Sequence, residues 1–519
     1  MNISRTNYER RTVRFSRSDD PIPLHVRVES LTLSFIMLSA ISGVAALSTS
    51  DVAARIKGQM VLAPLTRGGN LPFRRLCADF GMEVSMGEMI FARNLIKGDK
   101  LEAARLRRAS NEKSFCVQIA TNDVTEGRKA VELAANAGAD WVDLNVGCPI
   151  YEATRRNLGS ALLRYPEKLG RLVHGIADGS PLPLSVKVRT AAEGGEVNVH
   201  RVVEILRGSG AAAVTIHGRS ATDRYSRACD WDLIGEVVRA NAASGSTMPI
   251  LGNGDVLTHF EASRRMQASG VDGVMVGRGA LTKPWLFQEY ADGATWEPTD
   301  AERVAVYRRL ACYMKEHFGD DERGRKKAWN FLPWHFDFLC RYRPLPESEY
   351  ASLAESQPLM QTRFGALGEE ATPLERLLDC RDPKAHELVA AALWASDSDA
   401  AAVDALSELG RTSPLLAGAT ESGGQTGSAR SVGAGHEDEE LSNIPSGDAE
   451  GKRKKQRNRH QQKPQRTDEE IAALRAVRAA KRTATGAPPH VEGTRGRLHA
   501  AGKEFAGAEE EKKDTAGSV

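Results

Sequence analysis

From Met60 onward the chain repeats one pattern: a short apolar run rich in β-branched residues, a loop of glycine and polar residues, then a segment with helical spacing of its apolar positions. The runs are Met60–Ala63, Glu83–Gly87, Phe115–Ile119, Trp141–Asn145, Leu184–Val188, Ala213–His217, Ile250–Gly252 and Gly273–Gly277, which makes eight candidate strands. Between them Asn70 is positioned to cap a helix that carries Pro72 in its first turn and stops at Gly81, and Thr125 to cap one running through Glu132 to Ala137. Further helices fit Pro166–Asp178, His200–Gly208, Trp231–Asn241 and His259–Ser269. Strictly alternating strands and helices predict an α/β protein built on a (β/α)8 TIM barrel over residues 58–295. A doubly wound open sheet is the alternative, but the first strand here exits through Pro64-Leu65-Thr66 rather than a glycine-rich fingerprint.

The pattern changes at Pro298. Thr299 and Glu302 form a capping box, Val304, Tyr307, Ala311 and Met314 give an apolar face, and Trp329, Phe331, Trp334, Phe338 and Leu339 extend it. This predicts a small all-α domain over 298–400, with Arg323, Arg325, Lys326 and Lys327 between its first helices. Residues 401–519 read as a low-complexity, disordered tail whose basic stretch, from Lys452 to Arg459, precedes a capping box at Thr467 and Glu470 and a basic helix. Residues 1–57 form an N-terminal extension: Arg5, Arg10, Arg11, Arg14 and Arg17, then an apolar run from Leu31 to Leu47 that is short for a membrane span. Stable membrane insertion is not expected from it. An intracellular location follows, in cytoplasm or nucleus, with a mitochondrion or plastid left open by that segment.

Composition adds little to this frame. Net charge is +2 over 519 residues, so only local clusters of Lys and Arg bear on nucleic acid. Seven cysteines at irregular spacing, without a CxxC or Cys/His pattern, read as reduced thiols rather than metal ligands, and no protein partner is indicated.

Chemistry enters at the carboxyl ends of the strands, which converge on one face of a barrel. They deliver Pro64; Glu88; Gln118; Asn145 with Cys148; Lys187 with Arg189; His217 with Arg219; Asn253 with Asp255; and Gly277 with Arg278. A lone Gly147-Cys148-Pro149 turn would be an ordinary turn, but polar or special residues at all eight exits are hard to explain as packing. Gly252-Asn253-Gly254-Asp255 and Gly277-Arg278-Gly279 follow the last two strands, where barrels commonly hold a phosphate. Gln118 and Lys187 suit a flavin, whose pyrimidine edge takes amide contacts and whose reduced form is stabilised by a cation.

These residues together resemble the dihydrouridine synthases, flavin enzymes that reduce uridines in tRNA. The resemblance rests on Leu62-Ala63-Pro64-Leu65, Asn70-Leu71-Pro72-Phe73-Arg74, Gly87-Glu88-Met89, Val117-Gln118, Asp143-Leu144-Asn145-Val146-Gly147-Cys148-Pro149, Val186-Lys187-Val188-Arg189, Ile216-His217-Gly218-Arg219, and the last two glycine-rich turns, in order. Lys283 to Phe287 and Phe338 to Tyr342 are most similar to the eukaryotic class acting on the tRNA variable-loop region. The resemblance implies FMN held by Pro64, Gln118, Lys187, His217, Asn253, Gly254, Asp255, Gly277 and Arg278, with NADPH as reductant. It implies Cys148 as general acid, and substrate contacts from Asn145, Arg189, Arg219, Arg325, Lys326 and Lys327, with tRNA as partner. An FMN barrel acting on a small molecule and an inactive tRNA-binding barrel remain the alternatives. One departure stands out: after Cys148 the family has a glycine-rich segment, whereas Arg155 to Leu162 keeps only Gly159.

Overall fold

The computed structural model describes residues 47–417, and the basic region and nearly all of the apolar run before them, and the linker and basic segment after them, lie outside the described residues. Among the described residues nine strands form: β1 Met60–Leu62, β2 Val84–Met86, β3 Ile90–Phe91, β4 Ser114–Ala120, β5 Trp141–Val146, β6 Leu184–Arg189, β7 Val214–His217, β8 Ile250–Asn253 and β9 Gly273–Val276. All pairings are parallel, and β1–β9 with β2–β4 complete the ring, so eight strands close as a barrel while the short β3 adds to the end of β4. The strands are nearly continuous in apolar residues because both of their faces are buried.

Outward residues such as Val142, Leu144, Val186, Val188 and Ile216 pack under the surrounding helices. The alternate positions face the axis, and there the barrel has two halves. Val61, Val84, Cys116, Trp141, Leu251 and Met275 fill the lower half. The upper half is polar, with Gln118 beside Asp143, Asn145 beside Lys187, and His217 beside both Arg189 and Asn253 in register. The helix Thr49–Ile56, closed by a capping box between Ser48 and Asp51, adds Val52 and Ile56 to the lower apolar cluster. The last residues of the N-terminal extension thus pack against the lower end of the barrel.

Asn70 caps Leu71–Asp79 through a bond from Phe73 N (3.1 Å), as its position predicts. The helix Val124–Asn136 is capped by Asp123 instead of Thr125, because the accepting oxygen must precede the first turn, and Asp123 meets the N–H of Glu126 at 2.9 Å. Beyond the barrel, Asp300–Phe318, Leu332–Leu339 and Pro383–Ala395 share one apolar cluster with it. The basic residues expected between helices lie within the helix Glu322–Ala328, capped by Asp321. The helical region also passes residue 400: Asp399–Thr412 is a helix capped by Ser398, burying Ala402, Leu406 and Gly410 on one face. Its alanine-rich composition read as low complexity, yet those three positions, four apart, make a packing stripe. Among the described residues no helix is long and apolar enough to cross a membrane.

Candidate active site

The turn that presents Cys148 is built by hydrogen bonds from the strand before it. Asn145 Oδ1 accepts the backbone N–H groups of Gly147 (3.2 Å) and Cys148 (2.9 Å), while its Nδ2 donates to Gln118 Oε1 (2.8 Å). Gln118 Nε2 in turn donates to Asp143 Oδ2 (2.9 Å), whose other oxygen accepts from Ser185 Oγ (2.6 Å). This chain runs across three strands inside the barrel. Burial drives the Asp143 carboxyl up to about 6, against the opposing pull of its Ser185 and Gln118 bonds and of Lys187. Gln118 and Asn145, assigned above to ring and substrate, thus have their amide groups engaged in holding the Cys148 turn.

The far side of the turn is equally constrained. Ser160 N donates to the Cys148 carbonyl (2.9 Å), and Gly159 sits at φ +60, where a Cβ would lie 2.4 Å from that same carbonyl oxygen. Only glycine fits there. The lost glycines are partly compensated by Asn157, which takes the left-handed conformation at φ +56, and Asn122 Nδ2 donates to the carbonyl of Arg156 (3.1 Å). Burial raises the Cys148 thiol above its ordinary range, only partly opposed by Arg189 and Lys187, so the sulfur carries its proton at neutral pH.

Opposite lies a cationic wall. Lys187 Nζ donates to Asn253 Oδ1 (2.8 Å), and burial, then the nearby Arg189, lowers its ammonium to about 8. Arg189 is anchored by the carbonyl of Ser220 (2.7 Å). His217 is held neutral, well below its usual range, by burial and by Arg189 and Lys187. Arg278 pairs with Asp255 (3.0 Å) and lies 4.0 Å over the Tyr225 ring. Within the two glycine-rich turns the glycine positions have little or no room for a side chain: a Cβ on Gly254 would strike Cys229 Sγ at 2.0 Å, and one on Gly277 would meet Leu65 at 3.1 Å.

Two strand-exit residues answer each other. The Arg219 side chain is fully buried, pairing with Asp255 at 2.6 Å and donating to the Arg227 carbonyl. The Asp255 carboxylate joins Arg219, Arg278 and the N–H of Cys229 (2.8 Å), so it orients Arg278 at the edge of the site. Asp255 itself takes the left-handed backbone conformation at φ +50.

A single cavity of about 690 Å³ joins Pro64, Gln118, Asn145, Cys148, Lys187, Arg189, His217, Asn253, Gly254, Asp255, Gly277 and Arg278. Arg325, Lys326 and Lys327 do not line it; they are exposed on the helix that ends beside Trp329, with Arg325 4.6 Å over that ring. The cavity is instead completed by residues that strand-end reasoning could not find, among them Arg67, Met89, Tyr225, Trp334, Phe338 and His386. They stand on loops and on helices remote in sequence. The single available signal was the aromatic spacing of Trp329, Trp334 and Phe338, which reads equally as core. Several cations, glycines at two turns of the wall and a half-buried thiol suit a flat, anionic, phosphate-bearing group facing a proton donor.

The profile of the dihydrouridine synthase family, Dus, matches residues 61–338, more than half of the chain. A human protein described as "tRNA-dihydrouridine(47) synthase [NAD(P)(+)]-like" is 42% identical over 291 residues, covering 56% of this chain and 44% of its own. Its rat counterpart is 40% identical over 291 residues, covering 56% and 45%. The tRNA-dihydrouridine(47) synthase [NAD(P)(+)] of Cryptococcus neoformans is 40% identical over 321 residues, covering 59% and 44%. The chain therefore spans less than half the length of these curated relatives.

Proposed function

The chain belongs to the dihydrouridine synthase family, and from that premise we propose that it reduces the C5=C6 bond of a uridine in tRNA. The relatives' names support position 47 as the target and NAD(P)H as the reductant. FMN is the group we assign to the cavity, where it would supply a hydride to C6 of the uracil. Arg278, with Gly254 and Gly277 beside it, would hold its phosphate; Lys187, fixed by Asn253, would offset the negative charge of the reduced ring.

The observation that carries this reading is the Cys148 turn. It is held by Asn145 and Ser160 through the backbone and shares one cavity with Lys187 and Arg189, and burial raises its thiol above the ordinary range. A proton can pass from Sγ to C5 while the C6 position is reduced, leaving a thiolate that solvent reprotonates. Arg189 is the residue we assign to the uracil edge. A uridine in folded tRNA must leave its stack to enter such a cavity, and Arg325, Lys326 and Lys327 are candidates for backbone contact outside it.

The test is an absorbance spectrum of the purified chain, then reduction by NADPH and anaerobic reoxidation by unmodified tRNA or free uridine. A yellow protein reoxidised faster by tRNA supports the proposal. Indifference to tRNA would favour a small-molecule reductase, and a colourless tRNA-binding protein an inactive barrel.

Two further outcomes follow from the geometry. The general acid must be protonated to act, and the folded thiol titrates above its ordinary value of 9. Reoxidation by tRNA should therefore stay level through neutral pH and decline only in the alkaline range. A fall centred near pH 8 that persists in Cys148→Ala would report the Lys187 ammonium, which titrates at about 8, and not the thiol. For Gly159→Ala, the new methyl must displace the Cys148 carbonyl by several tenths of an ångström. Reoxidation by tRNA should slow roughly tenfold while flavin content and reduction by NADPH are retained; an unaltered rate would show that this close approach does not position the acid.

A further inference from the structure

The proposed reaction gives a ligand to Lys187, Arg189 and Arg278. Two more arginines line the cavity, Arg67 and Arg341, and Arg341 pairs with Asp337 at 2.8 Å. Arg67 differs: no carboxylate among the described residues pairs with its guanidinium. Its Nη2 donates to the carbonyl of Asn330 (3.0 Å), and the group lies over the Trp334 ring at 5.9 Å. Those two partners come from the helical region, so the arginine reaches from the end of β1 across to the other wall of the same cavity.

The backbone is shaped to hold it there. Arg67 adopts φ +64, uncommon for a residue other than glycine. Both of its peptide groups are gripped: Glu88 Oε1 accepts its N–H (2.6 Å), and Asn70 Nδ2 donates to its carbonyl (2.7 Å) while also meeting His335 Nε2 (3.2 Å). The next residue, Gly68, packs so closely that a Cβ would lie 3.0 Å from Leu281 and 3.1 Å from Trp334. A left-handed arginine fixed on both sides, with its guanidinium carried to a cavity and given no counter-charge, is what an anion site requires.

We propose that Arg67 is a specificity-determining residue that takes a backbone phosphate flanking the inserted uridine, and so favours an RNA-borne uridine over a free one. This rests on the reading of the cavity as a uridine-reducing site. A nucleotide drawn from an RNA chain brings phosphodiesters on both sides of its sugar, and free uridine brings none. The bond to Asn330 uses one of the five N–H donors of a guanidinium, whose fork geometry suits phosphate oxygens. Trp334 supports the group from its face without neutralising it.

The experiment measures binding of a labelled, unmodified tRNA transcript to the full chain by fluorescence anisotropy across a salt series, for wild type, Arg67→Lys and Arg67→Gly. Glycine accommodates φ +64 better than arginine, so the backbone of the loop is not put at risk. Arg67→Gly should weaken binding roughly three- to tenfold at low salt and reduce the slope of log K against log[salt] by about one, while Arg67→Lys keeps most of that slope. Reoxidation of the reduced protein by tRNA should fall by a larger factor than reoxidation by free uridine. An unchanged slope in Arg67→Gly would overturn the inference, as would a defect confined to the concentration of NADPH needed for reduction. Wild-type protein that binds tRNA with the Arg67 dependence, yet is not reoxidised by it, would instead sink the synthase reading and leave the phosphate contact standing.

Discussion

Replacing Cys148 by alanine is expected to leave a folded, yellow protein whose reaction with tRNA is slowed about 100-fold or more, the usual scale for losing a general acid. The expectation is sharp because the side chain and the turn are separable. The turn is held by the bonds of Asn145 Oδ1 to two backbone N–H groups and of Ser160 N to the Cys148 carbonyl, none of which involves sulfur. The Cys148 side chain is partly buried, packed against the cluster of Met89, Ala120, Ala153 and Leu158, so its removal opens little space. Reduction by NADPH should proceed at the wild-type rate, because it needs no proton at C5 of uracil. The alkaline decline described above should disappear from whatever rate remains. Full activity toward tRNA in this variant would refute the assigned role.

The second large effect is on stability. Asp255→Ala should destabilise the fold by about 3–5 kcal/mol, read from urea unfolding, because it strands the guanidinium of Arg219 in a site where its side chain is 0% exposed. Asp255 also accepts the N–H of Cys229 and steadies Arg278, so the variant should lose flavin as well. The informative comparison is the double variant Asp255→Leu with Arg219→Met, which removes both charges. It should be markedly more stable than Asp255→Ala, since an uncompensated buried charge costs more than an absent pair. Equal destabilisation of single and double variants would show that the ion pair is not the source of the effect. This pair is structural, and its consequence for the ligand acts through Arg278.

Much of this site is legible in the chain because barrels place function at strand exits, and strands announce themselves by period. Lys187 and Arg189, two apart on β6, share the axis-facing side of the sheet with Asn145 and His217, as alternation requires. Cys148 and the turns at Gly254 and Gly277 stand out for the same reason, and all line the cavity. What alternation cannot say is which polar group answers another. Arg219 and Asp255 follow the strands β7 and β8 and look like ligand contacts, yet they face each other and bury their charges together. Gln118 and Asn145 likewise turn their amides to the interior network.

The sequence by itself determined the barrel, the Cys148 turn and the cationic strand ends, because caps, turns and the two-residue strand period are set by neighbours a few positions apart. Only the tertiary structure decided the second wall of the cavity. The contact of Arg67 with Asn330 spans 263 positions, and the roof formed by Trp334, Phe338 and His386 depends on how the later helices pack on the barrel. It also decided that Thr49–Ile56 packs into the lower apolar cluster and that Asp399–Thr412 is part of the folded helical region. Such placements follow from the burial of whole faces against distant elements, a sum over many weak contacts that no local pattern records.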